Sequence, residues 1–293
     1  MAGGPSGSGG PAVVYLGTSE FASGVLRGLA AGPYRPVLVI TRPDAPKGRG
    51  RRLAPPPVAE TAAELGIECE QPESVNAPEV LERIDAAGGG EKPTVVLCAY
   101  GALIAEPLLS AHEILNVHPS LLPRWRGAAP IERAIMAGDE QTGVSIMRVV
   151  EELDAGPVYA QRAVPIGPDD DYGTLAERLE RLSVELLHEV ITERPEPVPQ
   201  SEEGVTYAEK ITAADRSLDL DRPAEENARI VRALHPHIGA RIRLPDGSWL
   251  GVREAAVADD GRLRLVTVQP AGGRPMPYAD YLRGHDPVPG VAA

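Results

Sequence analysis

Apolar residues fall in two rhythms along this chain, and the rhythms alternate. Short apolar runs at residues 12–16, 36–41, 67–70, 94–99, 114–118, 143–150 and 158–165 predict strands. Between them, residues 18–31, 58–65, 77–87 and 130–137 carry the spacing of helices, and a longer helix runs to residue 193. On that last helix Leu175, Leu179, Leu182, Leu186 and Leu187 fall on one face. The run at 94–99 is apolar throughout, as in a strand buried on both faces of a parallel sheet. Strands alternating with helices predict an α/β domain with a mostly parallel sheet over residues 12–193.

The ends of the chain read differently. Residues 1–11 are Gly, Ser, Pro and Ala after the initial Met, and predict a disordered tail. Residues 194–203 are rich in Pro and Glu and read as a linker. Residues 204–293 predict a small β domain. It has a helix near 223–234, strands at 240–244, 248–257 and 262–268, and turns at Asp246-Gly247 and Asp260-Gly261.

One strand breaks the apolar pattern. Residues 114–118 read Ile-Leu-Asn-Val-His and are stopped by Pro119. The two-residue period puts Asn116 and His118 on one face, roughly 7 Å apart. A buried amide or imidazole without a partner costs about 1–3 kcal/mol, so both need one. Either they satisfy each other's surroundings structurally, or they belong to an active site at the strand's C-terminal end, where open α/β sheets place ligands.

Composition narrows the possibilities. The chain has 293 residues, 43% of them hydrophobic, with one Phe and two Trp, so its core is aliphatic. A net charge of −13 argues against a general nucleic-acid coat or an anionic-membrane binder. A local exception stands at residues 42–52, where Arg42, Lys47, Arg49, Arg51 and Arg52 face the single acid Asp44. Prolines and glycines there predict no regular element. The stretch is a solvated basic loop or a phosphate-contacting one, and positive charge against a global −13 favours the second.

Cys69 and Cys98 read as buried free thiols, too few for a metal framework. The first basic residue is Arg27, so the positive start of a secretory signal is missing, and no apolar run approaches the ~20 residues of a membrane helix. The expected compartment is the cytoplasm. Gly17 stands alone after the first strand, without the three-glycine fingerprint of a dinucleotide site.

The chemistry gathers at strand ends. Asp154 follows the strand at 143–150 and precedes Gly156-Pro157. An Asn amide and a protonated imidazole both donate to a developing oxyanion, and a carboxylate orients the imidazole and assists proton removal from an attacking amine. No Ser or Cys lies in a nucleophile elbow, which favours direct acyl transfer to an external amine. His235 and His237 lack further ligands nearby, and no metal is expected.

These residues carry a resemblance. Asn116-Val117-His118-Pro119-Ser120-Leu121-Leu122-Pro123, continuing through Arg124-Trp125-Arg126-Gly127-Ala128-Ala129-Pro130-Ile131, resembles the signature of enzymes that transfer a formyl group from N10-formyltetrahydrofolate. Leu153-Asp154-Ala155-Gly156 is similar to that family's aspartate turn, with Ala155 in place of its usual Thr. The resemblance implies a Rossmann-like formyltransferase fold with 10-formyltetrahydrofolate as co-substrate. It implies that Asn116 and His118 stabilise the oxyanion and that Asp154 pairs with His118 and helps move the proton. It also implies that Ser120, Leu121, Leu122 and Pro123 line the folate site with Ala99, Tyr100 and Gly101.

Within the family, the members that formylate methionyl-initiator tRNA for translation initiation are the most similar. Their acceptor-arm insertion resembles residues 43–57, their linker start resembles Thr206-Tyr207-Ala208-Glu209-Lys210, and their closing segment resembles Gln269-Pro270-Ala271-Gly272-Gly273 with Pro275-Met276. The implied partner is initiator methionyl-tRNA, met by Arg42, Lys47, Arg49, Arg51 and Arg52, and the protein is expected to be a monomer away from membranes. The family's C-terminal domain is a five-stranded OB-like barrel. Three strand candidates here predict a shortened version. An amino-sugar formyltransferase and a formyl-folate hydrolase share the same strand-end chemistry, and a non-catalytic folate binder shares the scaffold. The basic stretch argues against the first two, and the intact Asn116, His118 and Asp154 set argues against the third.

Overall fold

A computed structural model describes residues 10–47 and 52–292. Residues 1–9 of the tail expected at 1–11, and Arg49 and Arg51 of the basic stretch, lie outside them. In chain order the strands are β1 (Val13–Gly17), β2 (Leu38–Ile40), β3 (Ala45–Lys47), β4 (Arg52–Ala54), β5 (Glu68–Glu70), β6 (Thr94–Cys98), β7 (Ile114–His118), β8 (Arg126–Gly127), β9 (Gln141–Arg148), β10 (Val158–Pro165), β11 (Tyr207–Ala208), β12 (Ala240–Arg243), β13 (Trp249–Val257), β14 (Leu263–Gln269) and β15 (Met276–Pro277). The helices are α1 (Glu20–Ala30), α2 (Pro57–Leu65), α3 (Pro78–Ala87), α4 (Leu108–Ala111), α5 (Pro130–Ala137), α6 (Tyr172–Glu193), α7 (Ala224–Leu234) and α8 (Tyr278–Tyr281).

Seven strands form one sheet in the order β10-β9-β7-β6-β1-β2-β5. The pairs β2/β5, β1/β2, β1/β6 and β6/β7 are parallel, and β9 runs antiparallel to β7. The mostly parallel α/β sheet expected from the alternating elements is thus what the chain forms. Chain order reverses at β1, with β2 on one side and β6 on the other, the switch point where such sheets open a crevice at their strand ends. The C-terminal ends of β1, β6 and β7 therefore lie side by side.

Burial follows the apolar rhythm. Val14, Leu16, Leu38, Ile40, Val95 and Ile114 meet Val80 and Ile84 of α3 in a core of almost fully buried side chains. All five leucines expected on one face of α6 are buried. Each such side chain withdrawn from water contributes about 1.5–3 kcal/mol. At the first turn Ser19 caps α1, its hydroxyl accepting from the Ala22 N–H at 3.2 Å. A Cβ on Gly17 would meet the Tyr15 ring at 2.7 Å and the Cys98 carbonyl oxygen at 3.1 Å, so only glycine lets β1 and β6 end this close together. Gly17 answers a packing demand.

Two compact units emerge. One comprises Met1–Arg126, Gly143–Arg162 and Glu177–Val205; the other comprises Gly127–Thr142, Ala163–Ala176 and Thr206–Ala293. In the second, the sheet β12-β13-β14-β15 packs with α7 around Leu234, Ile242, Leu250, Val252 and Val268. The three expected strands are present. A fourth, β15, pairs antiparallel with β14 through only Thr267↔Pro277 and Val268↔Met276, too short a run to carry an alternation signal.

Two stretches depart from expectation. The basic stretch, expected to have no regular element, contains an antiparallel ribbon, β3 on β4, with Pro46 opposite Leu53. A ribbon of two strands leaves an outer edge on each, where the missing N–H of proline costs no ladder bond. The Pro- and Glu-rich stretch at 194–203, expected as a linker, is pinned to the first unit. Val198 exchanges two 2.8 Å backbone hydrogen bonds with Val158 at the start of β10.

Candidate active site at the strand ends

Asn116 and His118 occupy the C-terminal half of β7 and are both buried. Their shared face meets Asp154. The Asn116 amide nitrogen donates to Asp154 Oδ1 at 3.3 Å, and His118 Nδ1 lies 3.6 Å from Asp154 Oδ2. One carboxylate thus addresses both residues, one oxygen each. On its other side His118 Nε2 lies 2.8 Å from the Trp125 carbonyl oxygen. A carbonyl only accepts, so Nε2 carries a hydrogen and the ring is tethered there. Nδ1, at 3.6 Å from its carboxylate, is outside hydrogen-bond reach and remains available.

The turn that presents Asp154 is tightly constrained. Asp154 sits at φ +47°, a left-handed conformation unusual for a residue with a side chain. A Cβ on Gly156 would lie 1.8 Å from the Arg148 carbonyl oxygen, so glycine is required for the turn to fold back on the end of β9. Gln200 closes it from outside. Its Nε2 donates to the carbonyls of Asp154 at 2.7 Å and Gly156 at 2.8 Å.

The loop after β7 is held from beneath. Ser145 Oγ on β9 donates to the Ser120 carbonyl at 2.7 Å and accepts from the Leu122 N–H at 3.2 Å. Gln161 Nε2 on β10 donates to Ser145 Oγ at 2.7 Å and to the Leu122 carbonyl at 3.0 Å. Leu121 and Pro123 remain half-buried, and Leu122 is buried. Ser120 is fully buried, and its hydroxyl donates to the Arg124 carbonyl at 2.6 Å, which shapes the loop from within. Sequence reading missed Ser145, Gln161 and Gln200. A serine set between the apolar Val144 and Ile146 in the middle of β9 was the available signal for Ser145.

A second loop leaves the end of β6, beside β7 in the sheet. Ala99 and Gly101 are exposed, at φ +44° and +78°. Tyr100 between them is turned into the core, and its carbonyl accepts from Thr18 Oγ1 at 2.8 Å. This loop therefore offers backbone to a ligand, with the Tyr100 ring buried beneath it. Arg42 follows β2 and donates to the Gly101 carbonyl at 2.7 Å, which brings the root of the basic stretch to the same edge. Lys47 ends β3, and Arg52 begins β4 with an exposed side chain. Arg124 stacks on Trp125, 4.4 Å from the ring centroid, and Arg126 is buried against Gln200 and Glu152.

Neither thiol enters the chemistry. Both cysteines are free, and burial pushes Cys98 up to about 12 and Cys69 up to about 11, leaving no thiolate to act as a nucleophile near neutral pH. Among the described residues, no three His, Cys, Asp or Glu side chains gather as a metal would need, and no helix is long and apolar enough to cross a membrane.

Known proteins are similar to this chain in sequence and in fold. Residues 12–191 match the formyl transferase family. The chain is 42% identical to the methionyl-tRNA formyltransferase of Halorhodospira halophila, over 95% of this chain and 97% of that one. Among solved structures, the methionyl-tRNA formyltransferase from Clostridium thermocellum has a TM-score of 0.63 at 15% identity, covering 88% of this chain and 98% of that one. HypX from Aquifex aeolicus, in complex with tetrahydrofolic acid, has a TM-score of 0.63 at 18% identity. That match covers 93% of this chain and 47% of HypX, so this chain spans about half the length of that protein. These two structures share the fold; the close sequence relative adds the lineage, and the chain belongs to the formyl transferase family, among the methionyl-tRNA formyltransferases.

Proposed function

We propose that this protein transfers the formyl group of 10-formyltetrahydrofolate to the amino group of methionyl-initiator tRNA, and that Asn116, His118 and Asp154 carry out the transfer. The observation that supports the roles most directly is the division of Asp154, one oxygen toward Asn116 and the other toward His118. Asn116 keeps a second amide hydrogen, and His118 keeps Nδ1, with its far side tethered to Trp125. The amide hydrogen, and the Nδ1–H that the ring carries only when both its nitrogens are protonated, are the two donors for the oxyanion that forms when the amine attacks the formyl carbon. A new C–N bond forms to the methionyl nitrogen, and the bond from carbon to N10 of the folate breaks as the intermediate collapses. Asp154 takes the proton that the attacking nitrogen releases, and N10 leaves with a proton in its turn. The folate lies along the backbone at 99–101 and against Leu121 and Pro123, and Ser120 shapes that wall from within. Arg42, Lys47, Arg49, Arg51 and Arg52 meet acceptor-arm phosphates, which explains local positive charge in a chain of net −13. Two free thiols, Cys98 buried and Cys69 only half-buried where burial was expected, fit a reducing cytoplasm.

The test is one assay with four acceptor conditions: charged initiator tRNA, charged elongator tRNA, an amino-sugar nucleotide, and none. Formylation confined to the charged initiator is expected. Transfer to the amino sugar, or formate release without an acceptor, would overturn the assignment.

A further inference from the structure

Gln200 lies in the stretch that composition marks as a linker, yet its side-chain amide is fully spent. Nε2 gives its two hydrogens to the Asp154 and Gly156 carbonyls, at 2.7 and 2.8 Å. Oε1 accepts from Arg126 Nε at 3.1 Å and from Arg126 Nη2 at 2.9 Å. The amide can sit only one way round, because the carbonyls demand donors and the guanidinium demands an acceptor. Arg126 is buried and follows directly on Trp125, the residue whose carbonyl tethers His118 Nε2. Asp154 faces the opposite ring nitrogen. One amide therefore links the backbone of the Asp154 turn to the buried Arg126 side chain, and through it to the segment on the other side of the His118 ring. The bridge has its own anchor, since Val198, two residues before Gln200, is locked to Val158 by a pair of 2.8 Å backbone hydrogen bonds.

We propose that Gln200 is a positioning residue for formyl transfer, fixing the Asp154 turn and the Trp125–Arg126 segment at a set separation across His118. The proposal rests on the catalytic reading of Asn116, His118 and Asp154. Without the bridge, the turn that carries Asp154 at φ +47° loses two of its hydrogen bonds, one at the Asp154 carbonyl and one at Gly156, and the carboxylate shifts relative to Asn116 and His118.

The substitution Gln200→Met keeps length and volume and removes all four hydrogen bonds. A misplaced catalytic group costs about tenfold to a hundredfold in rate, so kcat should fall by that factor while KM for the formyl-folate stays within about twofold. A double-mutant cycle separates positioning from general softening. In an Asp154→Asn background, adding Gln200→Met should cost less than about twofold further, because the group it positions is already gone. An undiminished second loss would overturn the proposal, as would an unchanged kcat in the single variant. If Asp154→Asn itself is near wild-type in turnover, the catalytic reading has failed, a result distinct from either. Should Gln200→Met fail to fold, Gln200→Asn, one methylene short, is read in the same way. Failure of both to fold would assign Gln200 to the fold alone and overturn the proposal.

Discussion

His118 ends β7 and His112 lies two residues before its start, both buried, each near a carboxylate, and their surroundings differ in kind. His118, at the C-terminal end of β7, is tethered by the Trp125 carbonyl on one nitrogen and faces the part-buried Asp154 with the other. His112, before the N-terminal end, lies 3.2 Å from the largely exposed Asp85 but out of hydrogen-bonding alignment, and neither ring nitrogen has a hydrogen-bond partner among the described residues. Burial pulls His112 below its ordinary value, against the weaker upward pull of Asp85. Proximity of a carboxylate to a histidine is therefore not what makes a site. The β7 C-terminal end adds a second anchor, a neighbouring amide and the crevice of the sheet's switch point.

The largest effects should come from dividing that arrangement. Asn116→Ala and Asp154→Asn should each lower turnover by about a hundredfold or more, as loss of an oxyanion donor or proton-transfer group does, with the folded state intact by circular dichroism. Near-normal turnover in both would place the chemistry elsewhere. Next, replacing Lys47, Arg49 and Arg51 by Ala should weaken tRNA binding about tenfold and flatten its log–log salt dependence by about 2, leaving the KM for folate unchanged. An unaltered slope would make the stretch a solvated surface. Gly156→Ala should be milder. Its Cβ meets the Arg148 carbonyl, so the turn must move, costing about 1–3 kcal/mol in thermal unfolding and reducing turnover through Asp154.

The smallest effect belongs to His112. His112→Gln should leave turnover within about twofold and change only the pH dependence of stability. Because the folded value is depressed, the unfolded chain takes up the proton first as pH falls below 6.5, and stability declines there. The contribution of His112 is present above 6.5 and is lost as pH falls toward the folded value, at a slope of no more than about 1.4 kcal/mol per pH unit. In His112→Gln that part of the decline should vanish from denaturant curves taken between pH 7 and pH 5.

How much of this was legible beforehand follows from the range of each signal. Asn116 and His118 stood out because a two-residue period puts two polar side chains on one face of an apolar strand, and Asp154 because a glycine turn follows a strand. The parallel sheet followed from runs such as residues 94–99, which local pattern alone explains. Gln200 was illegible, since its meaning depends on carbonyls that only the folded chain brings to it, while its neighbours Pro197, Pro199, Glu202 and Glu203 suggest a spacer. The β3–β4 ribbon was obscured by Pro46 and by charge, and β15 by its length. A loop after the strand at 94–99 was legible, but which of its atoms face outward depended on the core beneath: the ring went inward and left the backbone.

The most direct test of the strand-end site is the single-turnover rate of formyl transfer in His118→Ala, with 10-formyltetrahydrofolate bound and charged initiator tRNA added by rapid mixing. The account predicts a rate at least about a hundredfold below wild type with folate affinity unchanged. A rate within about threefold of wild type would contradict it.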